Sequence, residues 1–112
     1  MGDKRVDVTF DPNRKPQFEF TPPSLPMESA GNVNLERVKS TSWVFVTGEV
    51  KNDSLNQFTP KVQNQGARLR IKDDFKDTVK TAYQYYVTVK QGGKEYTSPD
   101  PEIVNDPLSV GP

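Results

Sequence analysis

The chain has 112 residues, with 15 basic and 15 acidic side chains, no histidine and no cysteine. A zero net charge removes the long-range electrostatic reason to expect DNA, RNA or an anionic membrane as partner. The missing cysteines exclude disulfides and thiol chemistry.

Ten prolines and seven glycines cut the chain into short pieces. Few windows carry an apolar period of 3.6, so strands are expected rather than helices. Arg5 to Phe10 sets Val6, Val8 and Phe10 against Arg5, Asp7 and Thr9, and Asp11-Pro12-Asn13 turns the chain. Gln17 to Thr21 alternates again, with Phe18 and Phe20 inward. Pro16, Pro22, Pro23 and Pro26 surround this piece. Proline removes ladder donors, so the region is an edge or a crossing segment and not a central strand.

After a loop at Glu28 to Gly31, Asn32 to Lys39 places Val33 and Leu35 inward and loses its alternation at Arg37-Val38, where a bulge is expected. Ser42 to Val50 is apolar on both faces at its start, as in a central strand covered on both sides. Leu55 to Val62 is weakly patterned, with Pro60 in its middle. Ala67 to Lys72 alternates strictly, with Leu69 and Ile71 inward and Arg68, Arg70 and Lys72 outward. Thr81 to Lys90 is the strongest strand: Tyr83, Tyr85, Val87 and Val89 share one face. Gly92-Gly93 supplies a hairpin turn back through Glu95-Tyr96-Thr97. Glu102-Ile103-Val104 adds a short last strand.

Seven to nine short strands with regular turn signals predict an all-β, antiparallel β-sandwich. One domain is expected over residues 1–104, with a C-terminal tail over 105–112. The expected core is Val8, Phe10, Phe20, Leu35, Phe45, Leu69, Ile71, Tyr83, Tyr85, Val87 and Val89. No apolar run reaches the roughly 20 residues of a membrane helix. Met-Gly-Asp-Lys-Arg at the start carries no signal-peptide pattern. This is compatible with a cytoplasmic chain or with one whose leader has been removed.

The order of landmarks resembles an immunoglobulin-like β-sandwich domain of bacterial or phage type over about residues 32–97. Trp43 lies on the strand that corresponds to C, and Leu69 and Ile71 on the one that corresponds to E. Lys80-Thr81-Ala82-Tyr83-Gln84-Tyr85 resembles the start of strand F, where a tyrosine makes a corner hydrogen bond two residues before a cysteine. Tyr85 stands at that cysteine position, so the central disulfide of the family is absent. A cupredoxin-like sandwich fits the same strand pattern, but a chain without histidine or cysteine holds no blue-copper site.

Enzymatic function is not expected, because the usual base at neutral pH and the strongest nucleophile are both missing. No nucleophile elbow, phosphate loop or dinucleotide fingerprint occurs. The leading expectation is a non-enzymatic binding or structural module that presents a sheet face or loops to a protein or carbohydrate partner, as a monomer or an edge-paired dimer. Its candidate contacts are Tyr86, the one bulky aromatic on the polar face of its strand, and the basic stripe Arg68, Arg70 and Lys72. No cofactor is required. The alternative is a calcium-stabilised surface domain with Asp73, Asp74 and Asp77 on one loop and Asp100, Glu102 and Asp106 near the C-terminus as oxygen ligands. Aspartate is also a common turn former. A hydrolase working through two carboxylates is the least favoured reading.

Overall fold

Alternation in the sequence becomes alternation in burial. In the computed structural model, which describes residues 2–107, strand β1 (Lys4–Phe10) buries Val6, Val8 and Phe10 and turns Arg5, Asp7 and Thr9 outward. The other strands are β2 (Phe18–Thr21), β3 (Ser24–Met27), β4 (Gly31–Arg37), β5 (Val44–Val50), β6 (Phe58–Gln63), β7 (Arg68–Asp73), β8 (Thr81–Gln91), β9 (Lys94–Thr97) and β10 (Glu102–Asn105). One 3-10 turn spans Asn64–Gly66, and no α-helix occurs among the described residues. The strand beyond the expected nine is β3, whose alternation is masked by Pro23 and Pro26.

The strands form two sheets packed face to face in one all-β domain. The first runs β2-β1-β4-β7-β6 and the second β3-β10-β8-β5, with β9 pairing the C-terminal half of β8. Gly92 and Gly93 make the β8–β9 turn at φ 60° and 76°, a region that glycine enters without steric cost.

Most pairings are antiparallel as expected, but β1 with β4 and β3 with β10 are parallel. Parallel neighbours need a connection that leaves the sheet and returns. Here the proline-rich step Thr21–Ser24 carries the chain from β2 in the first sheet to β3 in the second, before β4 rejoins the first. Both β2 and β3 are edge strands, the place that proline tolerates. The same rule places Pro60: β6 is the outer strand of the first sheet and pairs only with β7.

Strand β5 differs from expectation. It lies at the edge of the second sheet, not at a centre covered on both sides. Its pairing with β8 slips between Phe45 and Thr47, so Val46 is an extra residue and is 37% exposed. Phe45 points inward before this bulge, and Gly48 and Val50 do so after it. A change of phase, not a second covering layer, explains the apolar residues on both nominal faces. The bulge expected at Arg37-Val38 is instead the end of β4, with Lys39 at φ 72°. Gly48 is closely packed: a Cβ there would lie 2.4 Å from Leu69 Cδ2 across the core, so the Leu69 side chain would have to shift.

Of the side chains expected inside, Val8, Phe10, Leu35, Phe45, Leu69, Ile71, Tyr83, Tyr85, Val87 and Val89 are buried. Phe20 is partly buried, its ring edge-on to Tyr85 at 6.0 Å. Trp43 anchors one end of the core, with Phe45 and Phe10 at 5.0 and 6.1 Å between ring centroids. The tail expected from residue 105 begins inside β10: Asn105 is the last residue of that strand and fully buried. Residues 108–112 lie outside the described residues, as does Met1.

Candidate functional site

The two groups of residues expected to contact a partner lie on opposite faces of the sandwich. Tyr83, Tyr85, Val87 and Val89 of β8 point into the core, so Ala82, Gln84 and Tyr86 point out of the second sheet. Leu69 and Ile71 of β7 point into the core from the other side, so Arg68, Arg70 and Lys72 point out of the first. No single surface contains both sets.

Tyr86 is partly buried on its own face. Its hydroxyl donates to Glu49 Oε1 directly across on β5, and that bond holds the phenol above its ordinary pKa. Lys51 Nζ sits 5.8 Å from the ring centroid and also bonds Asp100 Oδ2 at 2.7 Å. Cross-strand register defines the rest of the face. Pro26, Val104 and Ala82 are neighbours on β3, β10 and β8, and form an apolar row. Ser24, Glu102 and Gln84 form the polar row beside it, with Ser24 Oγ donating to Glu102 Oε1 at 2.7 Å. Two shallow depressions of about 620 and 380 Å³ open on this face, and both are lined by Ala82 and Glu102.

On the first sheet, Arg68 pairs with Glu36 of β4, and Lys72 loosely with Asp74 at 3.9 Å. Arg70 lies between Asn34 of β4 and Lys61 of β6. The basic stripe is therefore partly neutralised, with its middle member left over.

The carboxylates considered for calcium are dispersed. Asp74 faces Lys72, Asp100 faces Lys51 and Glu102 accepts from Ser24. Asp106, at the end of the same C-terminal group, follows β10, and its backbone N–H bonds Met27 O. No group of three or more such side chains gathers to hold a metal among the described residues. Asp73 and Asp77 come together, and both serve as hydrogen-bond acceptors in a buried polar cluster.

That cluster joins four parts of the chain. Tyr83 of β8 donates to Asp77, with oxygen distances of 2.8 and 2.9 Å. Gln57 Nε2 donates to Asp77 Oδ2 at 3.0 Å and to the Tyr83 hydroxyl at 2.9 Å. Asn105 Nδ2 reaches Asp77 Oδ2 at 3.0 Å, Asp73 Oδ1 at 3.2 Å and Gln57 Oε1 at 3.2 Å. Asp53 closes the loop before β6 by accepting from the backbone N–H groups of Gln57 and Phe58. The Tyr83 hydroxyl is thus held by a side-chain carboxylate, that of Asp77. Burial pushes the Tyr83 phenol up to about 12, reinforced by Asp77. Burial likewise pushes the Asp73 carboxyl up to about 6, with Asp77 and Asp74 adding repulsion and the Phe75 N–H and Asn105 acting against it.

Sequence reasoning missed Gln57 and Asn105 as parts of this cluster. For Asn105 a signal existed: alternation from Ile103 places position 105 on the inner face. For Gln57, in a loop with no period, there was none.

No curated protein matches the chain. A protein-family model does match it, over residues 3–107, which takes in all ten strands. The chain belongs to the DP-EP family.

Proposed function

We propose that this chain is a non-enzymatic binding module that presents the outer face of its second sheet to a protein partner. The observation that carries this reading is the row Pro26–Val104–Ala82, apolar side chains continuous across three strands on an outward face. Beside it runs the polar row Ser24–Glu102–Gln84, with Tyr86 beyond. An apolar strip with a hydrogen-bonding border is the composition of a modest protein interface. Sugar rings favour aromatic platforms, and this face holds one tyrosine already engaged by Glu49 and Lys51. A protein partner therefore fits better than a carbohydrate.

An immunoglobulin-like domain of bacterial or phage type is part of the same proposal. The order β1-β4-β7-β6 opposite β10-β8-β5 parallels the A-B-E-D and G-F-C order of that sandwich. The parallel β1–β4 pair departs from it. Fold by itself assigns no activity, so the face must be tested directly.

The test is photo-crosslinking from a benzoyl-phenylalanine placed at Gln84, in extract of the native cell, with a glycan array run alongside. A discrete cross-linked protein that disappears in Ala82→Arg, with folding intact, is expected. A cross-link that persists in both Ala82→Arg and Tyr86→Ala would remove this face from consideration. Glycan binding lost in Tyr86→Ala would replace the protein with a carbohydrate.

A further inference from the structure

We infer that the outer face of the first sheet carries an oxyanion site at Lys61 and Arg70, fitted to a phosphate or sulfate group. It lies on the side of the sandwich opposite the proposed partner face and is argued independently of it.

Cross-strand register lines up Arg5 of β1, Asn34 of β4, Arg70 of β7 and Lys61 of β6 in one row on the outward surface. The cations around the centre of this row are matched by carboxylates. Arg5 has Asp7, Arg68 has Glu36, and Lys72 has Asp74. Arg70 and Lys61 have no carboxylate partner among the described residues. In addition, Arg70 Nε is buried and makes no hydrogen bond.

Directly opposed residues on neighbouring strands have Cβ atoms about 5 Å apart, and like charges there repel. The register thus sets Arg70 and Lys61 opposite one another with no ion pair to a carboxylate among the described residues, and the Arg70 Nε donor is unused. A doubly charged tetrahedral oxyanion supplies what is missing. The two terminal Nη groups of Arg70 can hold two of its oxygens, the Lys61 ammonium a third, and Asn34 lies on the other side of Arg70 in the row. A carboxylate would match one of the two charges. Glu36, the acidic residue nearest this row on β4, is already held by Arg68.

The experiment is an amide-resolved NMR titration of the intact chain with inorganic phosphate, compared with sodium chloride at equal ionic strength. Saturable shifts confined to Asn34, Lys61, Arg70 and their neighbours are expected with phosphate and not with chloride. Lys61→Ala removes one charge, and Arg70→Lys keeps the charge but loses the fork. Each should weaken binding about tenfold, while Lys15→Ala leaves it unchanged. Shifts that spread over all surface lysines, that chloride reproduces, or that survive both variants would overturn the site. A parallel titration with phenyl phosphate separates the sources. Tighter binding than inorganic phosphate assigns the site to an esterified group, and weaker binding assigns it to the free ion.

Discussion

Asn105 Nδ2 donates to Asp73 Oδ1 at 3.2 Å, yet Asp73 Oδ2 and Asn105 Oδ1 are both buried without a hydrogen-bond donor. The end of β10 is thus tied to the end of β7 by a contact one donor short. Unsatisfied buried oxygens cost about 1–3 kcal/mol each, and a proton on Asp73 is the simplest way to relieve that cost. This agrees with a carboxyl pushed up to about 6 by burial.

The sign of the pH dependence follows. With a folded pKa near 6 and an unfolded value of about 4, the native state holds a proton that the unfolded chain releases between those values. Stability from Asp73 is fully present below about pH 4 and is lost as pH rises through about 6, a change of about 3 kcal/mol. Asp73→Asn keeps the shape, abolishes the charge and adds N–H donors. Urea unfolding should therefore find the variant more stable than the parent at pH 7.5 and close to it at pH 4. Parallel stability curves for the two proteins would sink this account.

Two tyrosines on the same strand should respond oppositely to loss of the hydroxyl. The Tyr83 hydroxyl donates to Asp77 and accepts from Gln57, so Tyr83→Phe strands both and should cost about 1–3 kcal/mol. The Tyr85 hydroxyl is buried without a partner, and burial holds its phenol well above the ordinary range. Tyr85→Phe should be neutral or stabilising. Equal destabilisation of the two variants in urea would show that ring packing, not the hydroxyl, governs both.

Gly48 tests the distance between the sheets. A methyl group there meets Leu69 at 2.4 Å, so Gly48→Ala should destabilise by about 1–3 kcal/mol through overpacking. Combined with Leu69→Ala it should cost less than the sum of the two single changes, because the clash disappears with the leucine. Strict additivity in a double-mutant cycle would refute the contact.

Tryptophan fluorescence offers a direct readout for these measurements. Trp43, the one tryptophan of the chain, is 1% exposed between Phe10 and Phe45. Its emission should be blue-shifted when folded and move to longer wavelength in one transition on unfolding. Emission already at the wavelength of free tryptophan in buffer would contradict its burial.

What the sequence determined by itself was local. A period of two in apolar residues marks Arg5 to Phe10, Ala67 to Lys72 and Thr81 to Lys90 as strands and says which side chains face inward, because side-chain direction in a strand depends only on residue parity. Proline kept β2 away from a sheet centre, since a missing N–H breaks any ladder; that β3 and β6 are edge strands as well emerged only with the assembled sheets. The tertiary structure decided whatever depends on which strands meet. The Val46 bulge exchanges the faces of β5, and its signature in the sequence is the same as that of a doubly covered strand. The parallel pairs need a crossing between sheets. Lys61 becomes the partner of Arg70 only through the β6–β7 register. Gln57, Asp73, Asp77, Tyr83 and Asn105 form one cluster because four separated segments end at the same buried point. Hydrogen-bond satisfaction there is a property of assembled geometry, and no window of sequence contains it.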